Sequence, residues 1–302
     1  GQGTIDPVIT GLDPQARSGR MQVVQKAFES LDRDSRGLLC RMTAISSSLG
    51  SDQIKLVSGD LDDGRTQTAL DDLEARGLIH GVGKPPRYVI HASLRAYAYE
   101  RIGAGEAVHA KIRDHLQSKA SADKRGASAV TSLNAIVFHT ARAGEYDQAR
   151  KLFRDKLYKP LALERHDHDR CADLLRVLFP YGEHIRRPLD ATSGRDWALA
   201  KLAAAYSIGG QPRRAARVYR HLLDEAEETK SNDEMAIYLG LLADEQIRLG
   251  RLSDAEAGLR RCLAMCRARR DEIREVAARR RLGRVLTITG KYQEADREFD
   301  AA

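Results

Sequence analysis

The chain is poor in aromatic residues and in cysteine. Phe, Tyr and Trp make up 5% of its 302 residues, with a single Trp. So few ring side chains, beside many Ala, Leu and Arg, argue for helices over a β-sandwich or barrel. Four cysteines (Cys40, Cys171, Cys262 and Cys266) are too few in a chain this long for a disulfide scaffold, so a reducing cytoplasm is the expected compartment. No apolar run approaches the ~18 residues of a spanning helix, and no signal peptide opens the chain, so no membrane partner is expected. Catalytic motifs are lacking too. No G-x-S-x-G or H-E-x-x-H occurs, and there is no P-loop of the form G-x-x-x-x-G-K-S/T. The nearest stretch, Gly81-Val82-Gly83-Lys84, has neither the spacing nor the hydroxyl. The chain is therefore expected to be non-enzymatic, without cofactor or metal of its own.

What is present is a chain able to build a core: 42% hydrophobic and 31% charged. Its net charge of +7 comes from 50 Lys+Arg against 43 Asp+Glu. The excess is local. Residues 251–290 hold 11 Arg and 5 acidic residues, net +6, leaving 39 against 38 elsewhere. That excludes a uniformly basic coat for nucleic acid and points to one basic patch.

Three regions are expected. Residues 1–20 are rich in Gly and Pro and read as a linker, with Gly1-Gln2-Gly3 a cloning remnant. Residues 21–103 form a small unit. Helical spacing marks 21–31, 35–47, 51–57 and 66–76, then two short strands, Leu78-Ile79-His80 and Arg87-Tyr88-Val89-Ile90, flank the loop GVGKPP. A helix over 94–102 closes the unit. Helices followed by a two-stranded hairpin describe a winged helix.

Residues 104–302 are helical and repetitive. A Gly, an Ala five residues on and a bulky side chain four beyond that recur as Gly144/Ala149/Phe153, Gly210/Ala215/Tyr219, Gly250/Ala255/Leu259 and Gly290/Ala295/Phe299. Seven residues before each Gly stand Val137, Ala203, Ala243 and Gly283. The Gly ends one helix, the small residues let two helices approach, and the bulky side chain plugs the gap to the next hairpin. GKYQEADREF (290–299) and GEYDQARKLF (144–153) carry the pattern best, and on it the region is identified as tetratricopeptide repeats. The 40-residue period exceeds the usual ~34, so longer helices are expected. The array is clear over 195–302 and degenerate over 104–194, where a helix at 170–178 belongs to an irregular hairpin. The chain stops within a repeat's second helix, so it reads as truncated at its C-terminus. The expected fold is mainly α: a winged helix followed by a tetratricopeptide-type α-solenoid.

The segment 31–102 resembles the winged helix that follows the nucleotide-binding core of STAND signalling ATPases of the NB-ARC type. Ile90-His91-Ala92 and Leu94-Arg95-Ala96-Tyr97-Ala98 match that family's Met-His-Asp motif and the helix after it, with Ala92 in place of the acid and Ile90 in place of Met. Within the family the likeness is greatest to actinobacterial regulators of the antibiotic-regulatory type. The resemblance implies a regulatory and sensor portion of an ATPase acting in transcription. It implies ATP or ADP, and a nucleotide-binding core, elsewhere in the same polypeptide. It also implies that His91 reaches the β-phosphate of bound ADP in the closed state.

The resemblance to tetratricopeptide repeats places a partner groove on each repeat's first helix. Its lining is expected to be Trp197, Ala200, Ala204 and Ile208, then Ile237, Asp244, Ile247 and Arg248, then Arg280, Arg284 and Ile288. Such a groove is apolar at one end and basic at the other. It suits a trigger protein or peptide with a hydrophobic anchor and an acidic end, and less well a phosphate-bearing ligand.

Simpler alternatives stand beside these readings. A DNA-binding winged-helix factor would need a basic recognition helix, yet 66–76 carries Asp71, Asp72 and Glu74 against Arg76 alone. A plain repeat scaffold would leave the His91 motif without a purpose. The run HDHDRC (166–171) could ligate a metal, but without a second Cys/His pair it reads as an acidic helix start. Cys262 and Cys266 read as core filling, and the arginines between 267 and 284 as a solvated face interleaved with acids.

Overall fold

The computed structural model describes residues 14–103, 105–122, 127–182 and 194–302. They fall into two compact units that divide between Glu145 and Tyr146. Of the linker expected at 1–20, residues 1–13 lie outside the described residues, as does the part of the irregular hairpin at 183–193, while residues 14–20 are helical and not linker.

In the first unit α1 (Pro14–Glu29) starts seven residues earlier than its apolar spacing suggests, with Pro at its first position, where a missing N–H costs nothing. Asp32 opens α2 (Arg33–Met42) by accepting the Ser35 N–H at 2.8 Å. That bond holds the Asp32 carboxyl below its ordinary range. The cap contributes about 1 kcal/mol. Helix α2 ends at Met42, not at Ser47. Thr43 to Leu49 run as a loop that brings Leu49 alongside Tyr88, where the two exchange backbone hydrogen bonds of 2.9 and 2.8 Å. Leu49 thus adds a one-residue third strand beside the hairpin.

Short helix α3 (Ser51–Val57) is pinned by Arg41, which donates to the Val57 and Ser58 carbonyls at 2.7 Å. Asp62 caps α4 (Asp63–Ala75) through the Arg65 N–H. Strands β1 (Ile79–Val82) and β2 (Arg87–Ile90) pair antiparallel, Ile79 opposite Ile90. Their inward residues, Ile79, Tyr88 and Ile90, join Leu38, Leu39, Met42, Leu49 and Leu73 in one core. This is the winged-helix arrangement, closed by α5 (Ala92–Tyr99). Arg95 of α5 donates to the Ile45 carbonyl at 2.7 Å and ties down the loop before Leu49.

The hairpin of α6 (Gly105–Ala122) and α7 (Ala127–Arg142) belongs to this first unit. Val108 and Ile112 of α6 enter the winged-helix core. A buried polar chain joins α5, α6 and α7: the Tyr99 hydroxyl lies 3.0 Å from His109 Nε2, and His109 Nδ1 lies 2.7 Å from His139 Nδ1.

The second unit begins with α8 (Tyr146–Leu152), which runs on through two π-helical segments, Phe153–Leu157 and Lys159–Glu164. Then come α9 (His168–Arg176), α10 (Arg195–Ile208), α11 (Pro212–Glu228), α12 (Asn232–Arg248), α13 (Leu252–Arg269), α14 (Glu272–Ile288) and α15 (Tyr292–Asp300). From α10 onward each helix packs chiefly on the next, and α12 also packs on α14. The longer period is taken up by helices of 17 or 18 residues in α11 to α14.

The repeat motif acts as its chemistry requires. Gly210, Gly250 and Gly290 have φ between 73° and 79°, the left-handed region that other residues enter at a cost. The residue after each glycine donates back to the helix it ends, as Gln211 to the Tyr206 carbonyl at 2.8 Å. Ala215, Ala255 and Ala295 are buried. Gly283 leaves room for the Phe299 ring, which would lie 2.6 Å from an added Cβ.

Candidate functional site

The groove residues lie on α10, α12 and α14 of the second unit, at positions that repeat every 40 residues. Their environments differ from the expected gradient. At the α10 end Trp197 is half-buried in an aromatic cluster. Its ring centroid is 5.7 Å from that of Tyr158 and 6.5 Å from that of Phe153, both edge-on. Tyr158 links the two π-helical segments, and the Lys201 ammonium sits 5.1 Å from its ring centroid. Ala200 and Ala204 are half-buried beside this cluster. Their small side chains leave Ile208, 61% exposed, as the apolar projection of α10.

Further along, Ile237 and Ile288 are exposed and Ile247 is half-buried. The charged positions are largely engaged with one another. Asp244 accepts from Arg281 Nε and from Arg284 Nη2, both at 2.8 Å. Arg248 donates at 2.7 Å to the Ser207 carbonyl at the end of α10. Ser207 Oγ in turn donates to buried Glu245 at 2.6 Å. Arg280 is exposed and has no ion-pair partner among the described residues. The expected basic end is therefore corrected. Arg248 and Arg284, though exposed, stitch neighbouring first helices together, and among the described groove residues Arg280 is the guanidinium without an ion-pair partner. Arg281, Ser207, Glu245, Tyr158 and Lys201 were missed. The 40-residue register sets Asp244 one repeat before Arg284, and Arg281 lies one turn before Arg284 on the same helix, so it reaches the same carboxylate.

Several other arginines of the C-terminal patch are paired as well. Arg269 pairs with Asp233 at 2.7 Å, Arg267 with Glu275 at 3.2 Å, and Arg279 with Glu275 and Glu298 at 2.6 and 2.8 Å. Glu275 is held below the usual carboxylate range first by Arg279. The exposed Arg269–Asp233 pair is worth ~0–1 kcal/mol, so it sets register more than stability.

His91, in the first unit, stands between β2 and α5. Its N–H donates to the Leu78 carbonyl at 3.2 Å, finishing the hairpin ladder. The exposed ring has Nδ1 2.7 Å from Ser93 Oγ, so Nε2 is its outward hydrogen-bonding atom. Ala92, where the motif has an acid, is the first residue of α5.

Helix α4, which would be the DNA-reading helix, holds Asp71 and Glu74 exposed. Its Arg65 is paired with Asp34 at 2.6 Å, and Arg76, just past its end, with Asp72 at 2.7 Å. Glu74 also accepts the Gly81 N–H at 2.8 Å. Nothing on α4 supplies the free cations that phosphate contact needs.

At the HDHDRC run Asp167 caps α9 through the Arg170 N–H at 3.0 Å. No group of three or more metal-ligating side chains occurs among the described residues. Cys262 and Cys266 are buried; burial pushes the Cys262 thiol up to about 12, which suits core packing and not reactivity. No helix among the described residues is long and apolar enough to cross a membrane.

Comparison with protein-family models and with curated proteins gives no match. Among solved structures the chain is similar to a Signal Transduction ATPase with Numerous Domains (STAND) protein with a tetratricopeptide repeat sensor from Pyrococcus horikoshii. The two are 13% identical with a TM-score of 0.34, over 91% of this chain and 50% of the other. The chain thus spans about half the length of the protein it matches.

Proposed function

We propose that this chain is the non-catalytic sensor and relay portion of a STAND-type signalling ATPase that regulates transcription. The repeats bind a trigger protein or peptide on their first-helix face, and the winged helix passes the event to a nucleotide switch in the same polypeptide. The observation that carries the reading is the pairing of two features in one chain. One is a winged helix with an outward-facing histidine where its hairpin meets α5. The other is a repeat face on which the first helices expose Ile208, Ile237 and Ile288. A trigger shifts such a switch only by binding the open state more tightly than the closed one. In this reading His91 presents Nε2 to the phosphate of ADP and stabilises the closed state.

The paired, acidic surface of α4 weighs against direct DNA reading by the winged helix. The face exposes Ile208, Ile237 and Ile288 together with Arg248, Arg280 and Arg284, which suits a trigger with an apolar anchor and acidic groups beside it. The test is made in the intact protein. Ile208→Asp with Ile288→Asp should abolish the response to trigger without moving Tm, both side chains being exposed. His91→Ala should raise output without trigger. A normal response in the isoleucine variant would sink the groove assignment, and unchanged basal output would sink the role of His91.

A further inference from the structure

Helix α11 carries its charges in the order that its own dipole disfavours. Acids at a helix's start and bases at its end are stabilising. Helices α12 and α13 follow that order, with Asp233 and Glu234, or Asp254, in the first turn and Arg248, or Arg267 and Arg269, in the last. In α11 no acid stands in the first turn and no base in the last. Arg213, Arg214 and Arg217 occupy its first two turns, and Asp224, Glu225, Glu227 and Glu228 its last two. Its buried side holds Ala215, Val218, Tyr219, Leu222, Leu223 and Ala226. Opposite them Arg213, Arg217, Arg220, Asp224 and Glu227 follow in steps of four and three, so they form one outer seam. All five are exposed. Arg213, Arg217, Arg220 and Asp224 have no ion-pair partner among the described residues, and Glu227 pairs with Arg261 through Oε1. Forty residues on, the seam of α13 reads Ser253, Ala257, Arg260, Ala264 and Arg267, and both of its arginines are paired with acids of the same chain. The row of free arginines is thus particular to α11.

We propose that the outer seam of α11 binds the same seam of a second copy of this chain, antiparallel about a two-fold axis beside residue 222. That register sets Arg220 opposite Asp224 of the second copy and Arg217 opposite its Glu227, and the symmetry repeats both pairs. A seam that is basic in its first half and acidic in its second is its own complement only when the two helices run antiparallel. The same alignment opposes the two helix dipoles and sets each acidic half against the positive end of the other helix. A nucleic-acid backbone fits less well, because Asp224 and Glu227 stand in line with the arginines and repel phosphates. The seam holds no large apolar side chain, so the contact is electrostatic, weak and salt-sensitive. It belongs to a second helix and draws on none of the first-helix residues assigned to the trigger. It depends on neither the trigger nor the nucleotide switch.

Sedimentation velocity of the full chain over a concentration series is the test. In about 0.05 M salt a reversible dimer is expected, weakened about tenfold or more in about 0.5 M salt. Arg217→Glu/Arg220→Glu leaves the seam mostly acidic, and Asp224→Lys/Glu227→Lys makes it wholly basic. Each variant alone should stay monomeric in low salt, and an equimolar mixture of the two should recover the dimer. All four side chains are exposed, so circular dichroism should not change. The second variant also removes the partner of Arg261, so Asp224→Lys alone is run beside it and should weaken the dimer in the same direction. A native chain that is monomeric in low salt overturns the proposal. So does a dimer that survives both charge reversals, or a pair of variants that does not recover on mixing. Fluorescence anisotropy with a labelled DNA duplex separates the rival occupant. A monomeric native chain whose DNA binding is lost in Arg217→Glu/Arg220→Glu would assign the seam to phosphates instead.

Discussion

Acidification from pH 7 to pH 5 should loosen the α6–α7 hairpin through His109 and His139. Both are buried, and their Nδ1 atoms lie 2.7 Å apart. One consistent proton order runs from the Tyr99 hydroxyl to His109 Nε2, then from His109 Nδ1–H to His139 Nδ1, and it requires both rings to be neutral. Burial, with Arg142 nearby, lowers His109 to about 4, and burial with His109 beside it lowers His139 to about 3. The unfolded chain takes up these protons near pH 6.5, whereas the folded chain does so only below about pH 4. The stability these neutral rings contribute is therefore complete above pH 6.5 and is lost as pH falls towards 4 and 3. At pH 5 the unfolded state gains about 2 kcal/mol per imidazole, about 4 kcal/mol for the pair. Hydrogen exchange of α6 and α7 amides in the intact chain, corrected for intrinsic rates, reads this directly. The loss should vanish in the double variant His109→Gln/His139→Gln. Equal protection at pH 7 and pH 5, or the same loss in the double variant, would refute the argument.

Substitutions at four positions probe the repeats. Leu259→Ala should cost about 2–5 kcal/mol in denaturant titrations and Phe299→Ala markedly less, because the same register position is sealed in one hairpin and open in the other. A larger loss at Phe299 would show that burial does not set the cost. Gly250→Ala meets no neighbouring atom within 4 Å, so its cost of about 1–2 kcal/mol should come from the left-handed backbone alone, and Gly250→Asn should restore part of it. Asp244→Ala breaks two partly exposed ion pairs and should lower stability by less than about 1 kcal/mol; a loss of several would mean that the pairs carry the stacking of α12 on α14.

The repeats were legible because their signal is periodic. Gly210, Gly250 and Gly290 fall 40 residues apart, and each left-handed glycine and each buried alanine follows from that count. The hairpin of the winged helix was legible from β-branched and aromatic residues around GVGKPP. The Leu49 strand was not, since one residue paired across 39 positions leaves no pattern in its neighbourhood. Helix α2 was drawn too long for a related reason: Ile45 sits at helical spacing, yet Arg95, fifty residues away, draws its carbonyl into a loop. The residues expected to line a groove lie on α10, α12 and α14. Their charge balance was misjudged because Asp244, Arg248 and Ser207 were read along each helix, whereas their partners lie one repeat away.

The central claim is that this winged helix and array serve a nucleotide switch in the same polypeptide. The direct measurement is the sequence of the intact gene product on the N-terminal side of residue 1. The account predicts a strand, a G-x-x-x-x-G-K-S/T loop and a helix, followed by an acidic residue at the end of a later apolar strand. A polypeptide with no such phosphate-binding loop ahead of the winged helix would contradict it, and His91 would then be only the residue that finishes a hairpin.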